Sequence, residues 1–266
     1  MPVPWPARLA ERLGLATLPC VEHHEVRLAR PLGRSTRLRI AFASDFHAGP
    51  VTPPRVIDEA IKLLAQADAD VLLLGGDFVS LRARYAVDLV TRLATIPARL
   101  GRYAVLGNHD HWVDAARIAD LLRRAGIDVL TNRNVRLPEP FGNVSICGID
   151  DHESGEPDGA ATVAGAAAVR VLLMHAPSGL LDIGDRSFDV ALCGHTHGGQ
   201  IALPRGRPLV VANGRLTRQY NAGRFMVEHE RTLIVSRGVG CSGMPIRLNA
   251  PPAVMTCDVH GAATAP

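Results

Sequence analysis

Residues 38–47 read LRIAFASDFH, a run of apolar residues that ends at two polar side chains, Asp45 and His47. Two further apolar runs have the same design: VLLLGGD at residues 71–77 and YAVLGNHD at residues 103–110. A continuous apolar run of about four to eight residues is typical of a strand buried on both faces. These stretches therefore predict three buried strands, each of which ends in a polar loop.

Amphipathic helices are predicted between and after these strands. Apolar residues recur at helical spacing in segments 53–67, 85–93 and 113–125, and the first segment opens with Pro53-Pro54. This repetition of strand, loop and helix predicts an α/β fold. Because ligands of open α/β sheets bind at the carboxyl ends of the strands, the polar residues there mark an expected ligand site.

The second half of the chain has shorter apolar segments. Segments 144–148, 169–174 and 190–193 predict strands, and the last two end at polar residues. His175 follows one of them, and the sequence GHTH at residues 194–197 follows the other. Both strand ends therefore add imidazole groups to the expected site.

The composition is that of a globular domain with a large core. Of the 266 residues, 47% are hydrophobic, and 29 basic against 26 acidic residues give a net charge of +3. These values exclude a disordered chain, and so small a charge gives no indication of nucleic-acid binding. No apolar run approaches the roughly 20 residues of a membrane span. We expect one domain over residues 38–266, preceded by an extension over residues 1–37 that packs on it.

The cysteines and the N-terminus indicate a cytoplasmic location. The five cysteines are scattered and form no C-x-x-C pair, so neither a disulfide framework nor a cysteine zinc site is predicted. The first 20 residues lack the apolar core of a secretory signal. Trp5, Arg8 and Arg12 fit either peripheral contact with a membrane surface or a short packed helix. The sequence leaves both open.

Side chains of the types that can bind metal ions stand at five predicted strand ends. Each motif is common by itself, but together they offer carboxylate, amide and imidazole groups at one edge of a sheet. This donor set suits divalent manganese, iron and zinc. The residues are Asp45, His47, Asp77, Asn108, His109, Asp110, His175, His195 and His197.

In this order the motifs D-x-H, G-D, G-N-H-D, H and G-H-x-H resemble those of the calcineurin-like metallophosphoesterases. Two stretches are similar to those of the bacterial phosphodiesterase branch. They are GHTHGGQ at residues 194–200 and the segment 236–247. The resemblance implies two β-sheets packed face to face and flanked by helices, a four-layer αββα sandwich. It also implies two divalent transition-metal ions per chain, with manganese expected first and iron or zinc as alternatives.

The resemblance also assigns roles to the motif residues. A hydroxide shared by the metals would attack phosphorus, and His109 would protonate the leaving alkoxide as a general acid. Asp77 would bridge the metals. The first metal would be held by Asp45, His47, Asp77 and His197, and the second by Asp77, Asn108, His175 and His195.

Four further residues have two interpretations each. Asp110, a candidate catalytic residue, either orients His109 or caps the following helix. His111, a candidate for substrate binding, either lines the substrate pocket or begins that helix. Arg237 and Arg247 either hold a substrate phosphate or form structural ion pairs.

The expected activity is hydrolysis of a small phosphodiester. Residues 76–82 read GDFVSLR, and Asp110 stands where the protein-phosphatase branch has Glu, which counts against a phosphoprotein substrate. One alternative is a pyrophosphatase for nucleotide-sugar lipid precursors of the UDP-diacylglucosamine type. A non-catalytic metal-binding interaction protein is the other. The sequence does not predict the oligomeric state.

Overall fold

The computed structural model describes residues 5–14, 16–211, 214–228 and 231–263. The strands are β1 (Cys20–Arg27), β2 (Arg37–Ala43), β3 (Val71–Leu74), β4 (Arg102–Ala104), β5 (Asp128–Val129), β6 (Arg133–Arg136), β7 (Val144–Gly148), β8 (Val169–Leu173), β9 (Val190–Cys193), β10 (Ala202–Leu203), β11 (Arg207–Pro208), β12 (Gly223–Val227), β13 (Arg231–Val235) and β14 (Ala253–His260). The helices are α1 (Trp5–Arg12), α2 (Pro54–Ala65), α3 (Ala86–Leu93), α4 (Asn108–Arg124), α5 (Gly159–Val163), α6 (Gly179–Ile183) and α7 (Arg215–Gln219).

The first sheet contains, among the described residues, six strands in the order β1, β14, β2, β3, β4, β5. Strands β2 to β5 are parallel, and Ile40 pairs with Val71 in the register of β2 and β3. Strand β14 is antiparallel to β2 and parallel to β1. The carboxyl ends of β2, β3 and β4 therefore lie at the same edge of this sheet.

The second sheet, within the described ranges, also has six strands, in the order β12, β13, β9, β8, β7, β6. Its central strands β13, β9, β8 and β7 are parallel, and the edge strands β12 and β6 are antiparallel to their neighbours. The carboxyl ends of β8 and β9 consequently share one edge as well.

An apolar core lies between the two sheets. Phe42 and Leu73 of the first sheet are fully buried in one cluster with Ile146 and Val171 of the second sheet. Burying side chains of this size stabilises the fold by about 1.5–3 kcal/mol each. The two sheets therefore pack face to face.

Helices cover the outer faces. Because side chains alternate along a strand, Leu72 faces away from Leu73 and packs with residues of the first helical layer, such as Ala60 and Leu89. On the second sheet, Leu172 packs with Ile183 of α6 in a separate cluster. These layers confirm the predicted α/β fold with two packed sheets flanked by helices.

Two of the three predicted helices match α2 and α3 closely, but α4 begins earlier than predicted. It starts at Asn108, whereas the spacing of apolar residues placed the start at Val113. This added first turn is held by Asp110, whose carboxylate accepts the backbone N–H of Gly107 at 3.0 Å, and it is separated from the rest of α4 by a break in helical geometry at Asp114. The polar motif residues thus form the first helical turn instead of a loop.

The segment before residue 38 contributes two elements. Strand β1 pairs with β14 along its whole length, and α1 packs through Ala7 and Ala10, which are buried. None of the helices within the described residues has the length and apolar character needed to cross a membrane.

Candidate metal centre

Seven polar side chains meet where the carboxyl ends of the two sheets adjoin. They follow strands β2, β3, β4, β8 and β9, and every one of them is buried. Burial of so many polar groups is costly unless they bind one another or a ligand. The seven residues are Asp45, His47, Asp77, Asn108, His175, His195 and His197.

One group of donors surrounds the Nε2 atom of His47. This atom lies 3.0 Å from Nε2 of His197 and 3.3 Å from Oδ2 of Asp77. Nε2 of His197 is in turn 3.7 Å from Oδ1 of Asp45. Two imidazoles and two carboxylates therefore converge within the span of one coordination sphere.

A second group surrounds the amide oxygen of Asn108. This Oδ1 atom lies 3.0 Å from Nε2 of His175 and 3.1 Å from Nδ1 of His195. Nε2 of His175 is also 3.5 Å from Oδ2 of Asp77, the same oxygen that approaches His47. Asp77 thus belongs to both groups.

The hydrogen bonds of His175 make this arrangement suitable for a cation. Its Nδ1 lies 2.7 Å from the carbonyl oxygen of Gly75 and donates to it, so Nε2 of the neutral ring is an acceptor. Nε2 faces the amide oxygen of Asn108, which is another acceptor. Two acceptors at this distance repel unless a cation or a proton lies beside them. The residues present therefore fit a bound metal ion.

The charges around the histidines also favour a cation. Burial lowers the pKa of His175, but Asp77 and Asp45 raise it more, to about 9, so their field stabilises positive charge there. Burial lowers the pKa of His195 to about 3 and holds the pKa values of His47 and His197 well below the usual range. Neutral imidazole is the form that binds metals.

The backbone at the site is held in unusual conformations. Within the described residues, nine residues other than glycine have positive φ, and five of them are donors, with φ between 44° and 70°. Such conformations cluster at functional sites because they are sustained only where the surrounding structure requires them. The five are Asp45, His47, Asp77, His195 and His197.

His109 lies beside the first donor group. The centroid of its ring is 4.7 Å from that of His47 and 4.7 Å from that of Trp112, and its backbone N–H donates to Oδ1 of Asp77. Burial is the main cause that lowers the pKa of His109. The half-buried imidazole reaches the adjoining cavity.

Of the two interpretations of Asp110, the contacts agree with capping of α4 and not with orientation of His109. Its carboxylate accepts hydrogen bonds from the backbone N–H groups of Gly107, Phe78 and Val79, at 3.0, 2.9 and 3.4 Å. These bonds fasten the start of α4 to the loop after β3. The observed partners of Asp110 are backbone groups, and the ring of His109 is not among them.

The three candidates for substrate binding lie outside the cavity lining in the part of the chain that the structure describes. His111 Nε2 pairs with Oδ1 of Asp150 at 3.0 Å, and Arg237 binds Glu22 and the carbonyl of Pro251.

Arg247 is buried and donates to several carbonyl oxygens, including that of Gly240, and its guanidinium lies 3.0 Å from Nδ1 of His197. The ion pair with Glu22 is the structural alternative for Arg237, whereas the described contacts of Arg247 are with carbonyl oxygens and a histidine and not with a carboxylate.

A cavity of about 390 Å³ opens beside the donors. Several lining residues were not among the predicted site residues. Gln200 and Ile201 stand at the end of the GHTHGG stretch, which is a signal that could have been used, whereas the other side chains come from distant loops. Glu153 places a carboxyl group on the cavity wall, and burial and the neighbouring Asp151 raise its pKa. The residues missed are Glu153, Gln200, Ile201, Val210, Ser242 and Met244.

The four-layer fold and the buried imidazole and carboxylate donors define a class, that of metal-dependent α/β hydrolases. Residues 38–199 match the family described as calcineurin-like phosphoesterase, and the chain belongs to this family. It is therefore a phosphoester hydrolase, and the family together with the His/Asp cluster indicates divalent metal ions as cofactors.

Two relatives found by sequence agree with this assignment. The chain is 33% identical over 243 residues to the phosphodiesterase YaeI of Escherichia coli, covering 88% of this chain and 86% of that protein. It is 31% identical over 225 residues to the metallophosphoesterase YkoQ of Bacillus subtilis, covering 82% of each. A 5'-nucleotidase precursor from Thermus thermophilus superposes with a TM-score of 0.48 at 15% identity, covering 84% of this chain and 54% of that one.

Proposed function

We propose that the chain is a phosphodiesterase that uses two divalent metal ions. The observation that carries this proposal is the position of Asp77 Oδ2, 3.3 Å from Nε2 of His47 and 3.5 Å from Nε2 of His175. One carboxylate oxygen thus approaches one imidazole of each donor group. A carboxylate placed in this way can serve two cations.

The two donor groups supply the ligands under this proposal. Bound there, two cations would provide Lewis acidity toward the phosphoryl oxygens and would activate a water molecule. Asp45, His47, Asp77 and His197 would hold the first ion, and Asp77, Asn108, His175 and His195 the second. The nitrogen and oxygen donors accept manganese, iron and zinc, and manganese is the first metal to test.

His109 is the proposed general acid. Its ring lines the cavity, and the bond from its backbone N–H to Asp77 fixes it beside the donors. An anionic phosphoryl group in the cavity would raise the pKa of this imidazole and favour its protonated form. The proton would pass from the ring to the leaving alkoxide, which would depart as an alcohol.

The name of the similar Escherichia coli protein supports a phosphodiester as the substrate. A lipid-precursor pyrophosphatase is the second candidate, and the cavity wall favours it. Trp112, Val210 and Met244 line the cavity although they are exposed large apolar residues. Side chains of this kind would contact the acyl part of an amphiphilic substrate.

Hydrolysis of bis(p-nitrophenyl) phosphate in the presence of manganese tests the proposed mechanism. His109→Ala should lower the rate by about 10²–10⁴ because a general acid is lost, with unchanged metal content by elemental analysis. His23→Ala, which changes an exposed histidine of β1, is the matched control and should leave the rate unchanged.

Three results would contradict the proposal. An unchanged rate in His109→Ala would show that His109 is not the general acid. A content of one metal ion or none per chain after incubation with manganese would contradict a dinuclear site. Preference for UDP-diacylglucosamine over simple diesters, with release of UMP, would favour the second candidate. A cytoplasmic location belongs to the same proposal, and fractionation of cells that express the chain tests it.

A further inference from the structure

A short segment of the chain forms one wall of the cavity beside the proposed metal centre. Residues 242–246 read SGMPI, and Ser242 and Met244 line the cavity together with residues of both donor groups. We call residues 242–246 the wall segment. It begins after Cys241 and ends before Arg247, both of which are buried. The shape of the cavity on this side therefore depends on how the wall segment is held.

Packing by itself holds the wall segment weakly. Met244 is 51% exposed, and a Cβ atom built at the exposed Gly243 would meet nothing within 4 Å beyond its chain neighbours. Ser242, Pro245 and Ile246 are partly buried. Segments with so few buried contacts open locally at little cost in free energy. The wall segment therefore needs hydrogen bonds to keep one position.

The side chain of Gln200 supplies these hydrogen bonds. Its Nε2 atom donates to the carbonyl oxygens of Ser242 and Met244, at 3.0 and 3.1 Å. The backbone N–H of Ser242 donates to Oε1 of Gln200 at 2.7 Å. Among the described residues, the hydrogen bonds that join the wall segment to the rest of the molecule all involve this one amide group.

The backbone of Gln200 is in turn fixed beside the proposed metal centre. Its N–H donates to the carbonyl oxygen of His197, a proposed metal donor, at 2.9 Å, and its carbonyl oxygen accepts from the N–H of Leu248 at 2.9 Å. The φ of Gln200 is 54°, a conformation that a residue with a Cβ atom keeps only where its surroundings require it. Gln200 thus connects the wall segment to the loop that carries His197.

These bonds leave Gln200 little capacity to bind substrate, although it also borders the cavity. An amide group has two N–H donors, and the wall segment uses both of them. The remaining lone pair of Oε1 is an acceptor, and it cannot bind the oxygens of a phosphate ester because they are acceptors too. The function left to Gln200 is to position Ser242 and Met244.

We propose that Gln200 is a positioning residue, which holds the wall segment beside the proposed metal centre and so determines how tightly the cavity binds the larger ester group of a phosphodiester. This inference rests on the proposed phosphodiesterase function. An apolar ester group would contact Met244, which the wall segment presents to the cavity. Release of the segment would weaken this contact in the ground state and the transition state alike, so KM should change more than kcat.

Gln200→Met tests the proposal because methionine keeps the length of the side chain but forms none of the hydrogen bonds of the amide. In the full chain loaded with manganese, KM for bis(p-nitrophenyl) phosphate should rise about tenfold, and kcat should change less. Methyl p-nitrophenyl phosphate, whose second ester group is small, should show a smaller rise in KM.

Gln219→Met is the matched control. Gln219 is an exposed glutamine of α7 that donates to the hydroxyl of Tyr220 at 2.9 Å, and it is outside the described cavity lining. The same substitution there removes a side-chain hydrogen bond without touching the wall segment. Both KM values should therefore equal those of the unmodified chain.

Hydrogen exchange followed by mass spectrometry tests the positioning without a substrate. A peptide that contains the wall segment should be protected in the unmodified chain and should exchange about tenfold faster in Gln200→Met. Peptides from the two sheets should exchange as before, and the metal content should stay the same. This measurement separates release of the segment from unfolding of the protein.

Two results would overturn the role of Gln200. The first is unchanged exchange of the wall segment in Gln200→Met, or rapid exchange already in the unmodified chain. The second is an equal loss of kcat/KM for both diesters through kcat, which would leave Gln200 a purely structural residue. If the unmodified chain hydrolysed neither diester, the proposed function would fail, and the exchange measurement would still decide whether Gln200 positions the wall segment.

Discussion

Asp45 and Asp77 both have a φ of 55°, a conformation that costs a residue with a Cβ atom on the order of 1 kcal/mol. Hydrogen bonds from residues distant in the sequence hold these carboxylates in place despite the strain. Asp45 accepts from the backbone N–H of His195 at 3.0 and 3.1 Å, and Asp77 accepts from the N–H of His109. Strain is therefore distributed over residues whose side chains point at the proposed ions, and it orients them before metal binds.

Gly107 lets the side chains of Asp77 and His175 lie close to the backbone, and replacement of this glycine tests how closely they must lie. A Cβ atom there would lie 2.3 Å from Oδ1 of Asp77 and 2.6 Å from Cε1 of His175, while its φ of −108° is accessible to alanine. Gly107→Ala should therefore lower the free energy of unfolding by about 1–3 kcal/mol through crowding and reduce metal content. Urea unfolding and elemental analysis measure both.

Gly142→Ala is the control for crowding. Its Cβ atom would meet only the carboxylate end of Glu139, which can move aside. Normal metal content in Gly107→Ala would show that the donors tolerate displacement, against our expectation.

The start of α4 connects three parts of the site. Asn108 and His109 occupy its first turn, Asp110 binds backbone groups of the loop after β3, and His111 pairs with Asp150 after β7. One helical turn thus reaches both sheets. Its position fixes a proposed metal donor and the proposed acid together, so its tethers should matter for activity as well as stability.

The His111–Asp150 tether predicts a pH dependence. The hydrogen bond to Asp150 raises the pKa of His111 above 6.5. Burial alone would raise the pKa of Asp150, but hydrogen bonds from His111 and from backbone N–H groups lower it below 3.8. The histidine contributes stability below its unfolded pKa and loses it as pH rises through the folded value. The carboxylate contributes stability above its unfolded pKa and loses it as pH falls.

Both contributions are present between about pH 4 and 6.5. His111→Gln should therefore cost about 1–2 kcal/mol of unfolding free energy at pH 5.5 and less at pH 8.5. Urea unfolding of both proteins at the two pH values measures this difference. A loss that is equal at both values would show that the pair acts without charge.

At the scale of the whole molecule, the proposed metal centre lies between the two sheets. His47 and Asp77 follow strands of the first sheet, whereas His175 and His197 follow strands of the second. A cation bound by donors from both would cross-link the sheets at their carboxyl ends, while the apolar core joins them elsewhere. Metal binding and global stability should therefore be coupled.

Removal of metal with a chelator should lower the melting temperature. At 100 times the dissociation constant, one ion stabilises a protein by about 2.7 kcal/mol. For a chain of this size that corresponds to roughly 5–10 °C. Differential scanning calorimetry of the stripped protein, with and without manganese, measures the shift. Asp77→Asn should show a smaller one, and an equal shift in this variant would place the stabilising ion elsewhere.

Local patterns were enough to predict an α/β fold and the polar strand ends. The buried runs before Asp45 and Asp77 specify strands by their apolar content, and helical spacing specified α2 and α3. The boundary of α4 was harder to predict because its first turn consists of polar residues held by Asp110, and helical geometry breaks at Asp114 before the segment with apolar spacing. Face-to-face packing of the sheets came from the family resemblance, because periodicity does not specify which sheets pack together.

The sequence by itself determined which polar residues follow the buried strands, because a continuous apolar run marks each strand. Only the tertiary structure decided what surrounds them. The sequence left open whether Arg247 binds substrate or has a structural role, and its buried contacts with Gly240 and His197 indicate the structural role. Glu153 and Met244 reach the cavity from loops about 90 residues apart in the chain. Such meetings depend on long-range packing, which leaves no periodic signal in the sequence.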